Sequence, residues 1–162
     1  MVGPSYNVGS LRLMVVSDGT AWLDAGAVFG LVPKLMWTRV TGETNERNQI
    51  PLALNCVLLE SDGKTVLIET GQGNKDFGTL RKRGDEPHHG QLMQNLAANG
   101  LRPDDIDIVI NTHLHADHCG WNTDFVDGKW VPTFPNATYI FAAEEYADAA
   151  TENSMIFQQS VI

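Results

Sequence analysis

Within the run Asn111-Thr112-His113-Leu114-His115-Ala116-Asp117-His118-Cys119-Gly120, three of the chain's five histidines and one aspartate fall close together. Imidazole nitrogen and carboxylate oxygen are donors for zinc, and also for iron or manganese. The spacing suits such a cation. Side chains alternate along extended backbone, so His113 and His115 point to one side and two imidazoles can face one metal. A turn into helix after His115 would swing Asp117 and His118 round to a second position nearby. Two cations ~3.5–4 Å apart can share a bridging hydroxide whose pKa falls to about 7, a nucleophile available at neutral pH. A bare His-x-His also occurs in solvated turns and adventitious sites, whereas the full His-x-His-x-Asp-His is far more specific.

The elements around the cluster are those that would hold it. Residues 106–110, Ile-Asp-Ile-Val-Ile, read as a largely buried strand ending directly before it. The loop after such a strand end is where open α/β sheets place their ligands. Residues 11–17 and 20–28 read as two strands joined by Asp18-Gly19, a hairpin signal. Residues 52–60 and 64–70 read as a second hairpin around Ser61-Asp62-Gly63, and 125–131 as a third around Asp127-Gly128. Leu92, Met93, Leu96 and Ala97 share one face of a helix expected over 88–99, with Gly100 as its stop. A strand over 138–141 and a helix over 142–150, with acids in its first turn, complete the order. Residues 29–50 hold no period for long and contain large apolar side chains, which suits a binding loop or a cover for the core. The fold class expected is mixed α/β (α+β), with helices covering a sheet.

Bulk properties narrow the partners. The chain has 162 residues, 43% hydrophobic and 19% charged, enough for one domain with a core. A formal net charge of -9 leaves no broad basic surface for a phosphate backbone, so no nucleic acid partner is expected. No segment approaches a membrane span and no basic leader precedes an apolar stretch, which together imply a cytoplasmic enzyme without a membrane partner. The glycines of Gly71-Gln72-Gly73-Asn74 fit neither a dinucleotide nor a P-loop fingerprint. Cys56 and Cys119 read as small packed residues, Gly120 as a point of close backbone approach, and His88 and His89 as residues preceding a helix.

His113-Leu114-His115-Ala116-Asp117-His118 resembles the signature of the metallo-β-lactamase superfamily. Glu69-Thr70-Gly71 stands where that family has Asp-Thr-Gly, and Phe134-Pro135-Asn136-Ala137 before a strand and an acidic helix is also typical of it. Ala27-Val28-Phe29-Gly30, Val32-Pro33-Lys34 and residues 45–56 look closest to the branch of quorum-quenching lactonases and organophosphate hydrolases. The likeness covers nearly all of the chain. It implies an αββα sandwich of which residues 1–162 form the N-terminal half, with the C-terminal half absent. It further implies two zinc ions, His113 and His115 holding the first, Asp117 and His118 the second. Asp117 would also orient the hydroxide and receive a proton. Glu69 is one methylene longer than the family's aspartate, which leaves open whether it makes a hydrogen bond to the ligand loop.

A catalytic zinc takes three protein ligands plus water, and the chain offers two per metal, with no histidine after His118. The reading that follows is a metal-dependent hydrolase opening an ester-like bond in a small molecule, a lactone first. An organophosphate or phosphodiester hydrolase is the alternative within catalysis, and a catalytically incomplete metal-binding fragment the alternative outside it. A β-lactam hydrolase is disfavoured by the lack of an export signal. A homodimer, or association with the missing half, would supply the remaining ligands.

Overall fold

The computed structural model describes residues 3–75 and 89–151. In chain order its elements are β1 (Ser5–Val8), β2 (Leu11–Asp24), α1 (Ala25–Phe29), α2 (Lys34–Thr41), β3 (Gln49–Ser61), β4 (Lys64–Ile68), α3 (Leu92–Ala98), a 3-10 turn (Pro103–Asp105), β5 (Ile108–Ile110), α4 (Ala116–Cys119), a second 3-10 turn (Gly120–Asn122), β6 (Thr123–Val126), β7 (Lys129–Pro132), β8 (Thr138–Ile140) and α5 (Ala143–Thr151). The chain divides into two compact units, residues 1–19 with 54–162, and residues 20–53.

In the larger unit the main sheet runs in the order β1-β2-β3-β4-β5-β8, and β6-β7 form a separate hairpin. The mixed α/β class expected from the element order is the one observed. Strands β3 and β4 pair antiparallel, whereas β4-β5 and β5-β8 are parallel and joined through helices. Asp62 and Gly63, at φ 52° and 71°, make the tight turn expected there, with Ser61 opposite Lys64. One row crosses four strands: Leu58 opposite Leu67, Leu67 opposite Val109, Val109 opposite Tyr139. Helix α3 lays Leu92 and Leu96 on that row, with Ile106, Trp121 and Phe134 beside it, and these residues form the core. The next rows, Val57-Ile68-Ile110 and Leu59-Val66-Ile108, face the other side and are half-buried apart from Val66.

Two expectations need correction. Residues 11–17 and 20–28 are not a hairpin: β2 runs unbroken from Leu11 to Asp24, and residues 25–29 are helical. Asp18-Gly19 is no turn because the Asp18 carboxylate is buried and fully engaged by partners from elsewhere in the chain. Residues 29–50 are not irregular throughout, since α2 occupies Lys34–Thr41 behind Pro33. In this smaller unit Trp37 stacks on Phe29 with centroids 5.1 Å apart, and Ala25, Trp37 and Ile50 make a core of their own. The helix expected over 88–99 begins at Leu92, and His88 lies outside the described residues. Among the described residues no helix is long and apolar enough to cross a membrane.

Candidate metal centre

The candidate ligand loop starts where β5 runs out of sheet. Asn111 still donates its amide to Ile140 O at 2.9 Å, and Ile110 O accepts from Glu69 N at 2.8 Å. The next amide, Thr112 N, goes to a side chain, Glu69 Oε1, at 2.9 Å. The longer glutamate thus reaches the loop. Glu69 does so from left-handed backbone, φ 65°, a region costly for a residue with a Cβ. Leu114 is buried, while His115 remains extended (φ -70°, ψ 151°) and its carbonyl starts α4 by accepting from His118 N and Cys119 N. The expected turn into helix after His115 is present.

This path brings three imidazoles together. The His113 ring lies 4.7 Å from that of His115 and 3.9 Å from that of His118, centroid to centroid. Asp117 Oδ2 is 3.5 Å from His118 Nε2, and Thr112 Oγ1 is 3.0 Å from His113 Nδ1. Glu69 Oε2 lies 3.3 Å from His118 Nδ1, near enough to attract it but off the hydrogen-bonding line, and is a buried oxygen without a hydrogen bond. Among the described residues no three or more His, Cys, Asp or Glu side chains are spaced as a ready-made cage. The donor set nonetheless fits a zinc-type cation in kind, three imidazoles and a carboxylate beside an unsatisfied buried oxygen that can orient one of them. Cys119 is buried behind the loop and its thiol donates to Leu114 O at 3.4 Å, a packing role. His89 is exposed.

Behind the imidazoles sits a buried polar network. The His118 carbonyl accepts from Thr70 N at 2.8 Å and Asn111 Nδ2 at 3.0 Å. Asn122 donates to Asn111 Oδ1 at 2.8 Å and accepts from Thr70 Oγ1 at 2.9 Å. The Thr70 hydroxyl also lies 3.3 Å from His118 O, but its single proton favours the shorter bond to Asn122. Thr70, Asn111 and Asn122 are all buried, so each bond is made out of competition with water.

A second support was not anticipated from sequence. Asp18, fully buried, accepts from Gln72 N and Gly73 N at Oδ2 and from Leu92 N and Trp121 Nε1 at Oδ1. One carboxylate therefore ties together the turn after β4, the start of α3 and the chain just past the ligand loop. The available signal was an acid set between β-prone runs on both sides. Gly120 presses against this turn so closely that a Cβ there would overlap the Gln72 carbonyl, which bears out the close approach expected of it. Lys75, also buried, donates to Gly120 O and to Thr123 Oγ1. Burial pushes its amine down to about 8, against the opposing pull of Cys119 and Asp124.

Residues 50–153 match the family described as the metallo-beta-lactamase superfamily. A solved structure of a probable metal-dependent hydrolase from Staphylococcus aureus superposes with a TM-score of 0.78 at 32% identity, over 91% of this chain and 52% of that one. An N-acyl homoserine lactonase of Agrobacterium fabrum is 28% identical over 110 residues, 60% of this chain and 40% of its own. A dizinc quorum-quenching lactonase shares the fold with a TM-score of 0.69 at 23% identity, over 94% of this chain and 49% of that one. The chain spans about half the length of the solved relatives, and less than half of the curated lactonase.

Proposed function

The chain belongs to the metallo-beta-lactamase superfamily, and from that premise we propose that it carries the N-terminal share of a metal-dependent hydrolase site acting on a small ester, a lactone first. The observation that carries the reading is the meeting of the His113, His115 and His118 rings on one loop. His113 and His115 would hold one zinc ion, and Asp117 and His118 a second. Bound there, the pair would polarise the substrate carbonyl and make a nucleophile available at neutral pH. Asp117, nearly half exposed on the loop, takes up the proton released on attack. Glu69, Thr70 and Asn111 keep the loop backbone fixed while this happens. The lactone is favoured by the likeness to the Agrobacterium lactonase.

The remaining donors come, in this reading, from residues outside the chain, packing against the half-buried Val57-Ile68-Ile110 side of the sheet. The chain alone is then expected to be nearly inactive and prone to associate. Elemental analysis after zinc loading, with titration of acid released from an N-acyl homoserine lactone, tests this. The full-length protein should hold close to two zinc ions and lose nearly all hydrolysis with His115→Ala. Undiminished hydrolysis by that variant, or a full-length protein that takes up no zinc, would reject the proposal.

A further inference from the structure

The two amides flanking His113 share an unusual kind of partner. Thr112 N donates to the carboxylate of Glu69, and Leu114 N donates to Glu145 Oε2 at 3.1 Å. Beyond Asn111 the loop has left β8, so neither amide has a neighbouring strand to receive it. Acids from two different elements take that place, Glu69 from the end of β4 and Glu145 from the first turn of α5. Leu114 is the one residue between His113 and His115, and its amide fixes the peptide plane on which their common direction depends. Its carbonyl, which belongs to the next peptide plane, accepts from the Cys119 thiol, so the planes on both sides of Leu114 are held.

Resting on the metal-centre reading above, we propose that Glu145 is a positioning residue for the His113-Leu114-His115 segment, acting through the Leu114 amide. An acid in the first turn of a helix is ordinarily placed there by the helix dipole alone. Glu144, its exposed neighbour in the same turn, fits that plain role. Glu145 differs because it is half-buried and its carboxylate leaves the helix end for the loop. The helix start is itself steadied against the residues just after β8: Phe141 and Tyr146 stack with centroids 5.9 Å apart, and Tyr146 N donates to Ala142 O at 3.3 Å. The acceptor is therefore delivered from a fixed base, and a charged acceptor makes the stronger bond to an amide.

The test compares Glu145→Ala, Glu145→Asp, Glu145→Gln and Glu144→Ala in the full-length protein by two readouts. One is hydrogen exchange at the Leu114 amide without metal. The other is the cobalt(II) dissociation constant from optical titration against a chelator. Glu145→Ala and Glu145→Asp, which withdraw the acceptor with and without its charge, should speed exchange at Leu114 and weaken cobalt binding by about tenfold or more. Glu145→Gln keeps an acceptor of the same reach and should restore most of both effects, while Glu144→Ala should change neither. If Glu145→Ala does not fold, Glu145→Asp against Glu145→Gln gives the same comparison. Unchanged Leu114 exchange, or changed exchange with unchanged cobalt affinity, overturns the positioning role and leaves the metal centre standing. A full-length parent that binds no cobalt overturns the metal centre and this role with it.

Discussion

Replacing Asp18 by asparagine is the sharpest way to ask whether the buried carboxylate organises the ligand loop. The two side chains have nearly the same shape, so no cavity confuses the result. Asp18 Oδ2 receives two backbone amides at 2.9 Å, and Oδ1 receives Leu92 N at 2.9 Å and the Trp121 indole at 2.8 Å. An amide group has one oxygen, so whichever way it turns, its NH2 confronts two N–H donors and leaves both unpaired in the interior. A hydrogen bond to a charged group is worth roughly 1.5–3 kcal/mol. Two lost bonds, offset by the lower cost of burying a neutral amide, give an expected loss of about 3 kcal/mol. For a domain of this size that lowers Tm by roughly 6–12 °C. Urea unfolding followed by circular dichroism, with the slope unchanged, measures it. Asp62→Asn, in the exposed β3-β4 turn at φ 52°, serves as the control and should be neutral. An Asp18→Asn chain within about 1 kcal/mol of the parent would refute the reasoning, since buried unpaired donors cannot be that cheap.

Gly120→Ala should cost about 3 kcal/mol, because the new methyl meets the Gln72 backbone rather than a flexible side chain; a thermal shift of only a degree or two would contradict this. Asn122→Asp turns a second oxygen towards Asn111 Oδ1 and should cost about 2 kcal/mol by urea titration, with a loss of zinc affinity in the full-length protein. Lys75 gives a pH dependence of defined sign. Its amine titrates near about 8 in the folded chain but at 10.5 when unfolded, so between those values the unfolded chain binds more protons and stability rises with pH, by at most about 3 kcal/mol. Tyr139 works the other way: burial raises its phenol to about 12 from 10.0, so stability falls as pH rises above 10.0. Urea midpoints for the parent and Lys75→Met should therefore diverge between about pH 8 and pH 10, and parallel curves would count against the Lys75 account.

What could be read from the chain was what depends on near neighbours. The Asp62-Gly63 and Asp127-Gly128 turns were legible because turn chemistry is local, and both join adjacent strands as expected. The short β5 strand and the loop carrying His113, His115, Asp117 and His118 were legible for the same reason, since strand, turn and helix follow within a dozen residues. Asp18-Gly19 carries the same dipeptide signal and yet lies inside β2. Its partners sit 54 to 103 residues further on, and no local rule reports them. Helix α2 escaped for a different reason. Leu35, Met36 and Val40 are exposed while Trp37 alone is buried, so hydrophobic periodicity does not mark its inner face. Glu145 was read as one of two acids favoured by a helix dipole, and only the fold shows that its carboxylate accepts from Leu114 N.

The left-handed backbone of Glu69 has a consequence for how this region responds to sequence change. At most positions alanine is the gentler replacement and glycine the harsher, because glycine loses more freedom on folding. At φ 65° the order inverts. Glu69→Gly and Glu69→Ala both forfeit the bond to Thr112 N, but the glycine variant should be more stable by roughly 1 kcal/mol. A search for stabilising substitutions that ignores the ligand loop would therefore be drawn to glycine at this position, releasing the strain and losing the anchor in one step. The residue marks a point where thermal robustness and a fixed ligand loop pull in opposite directions.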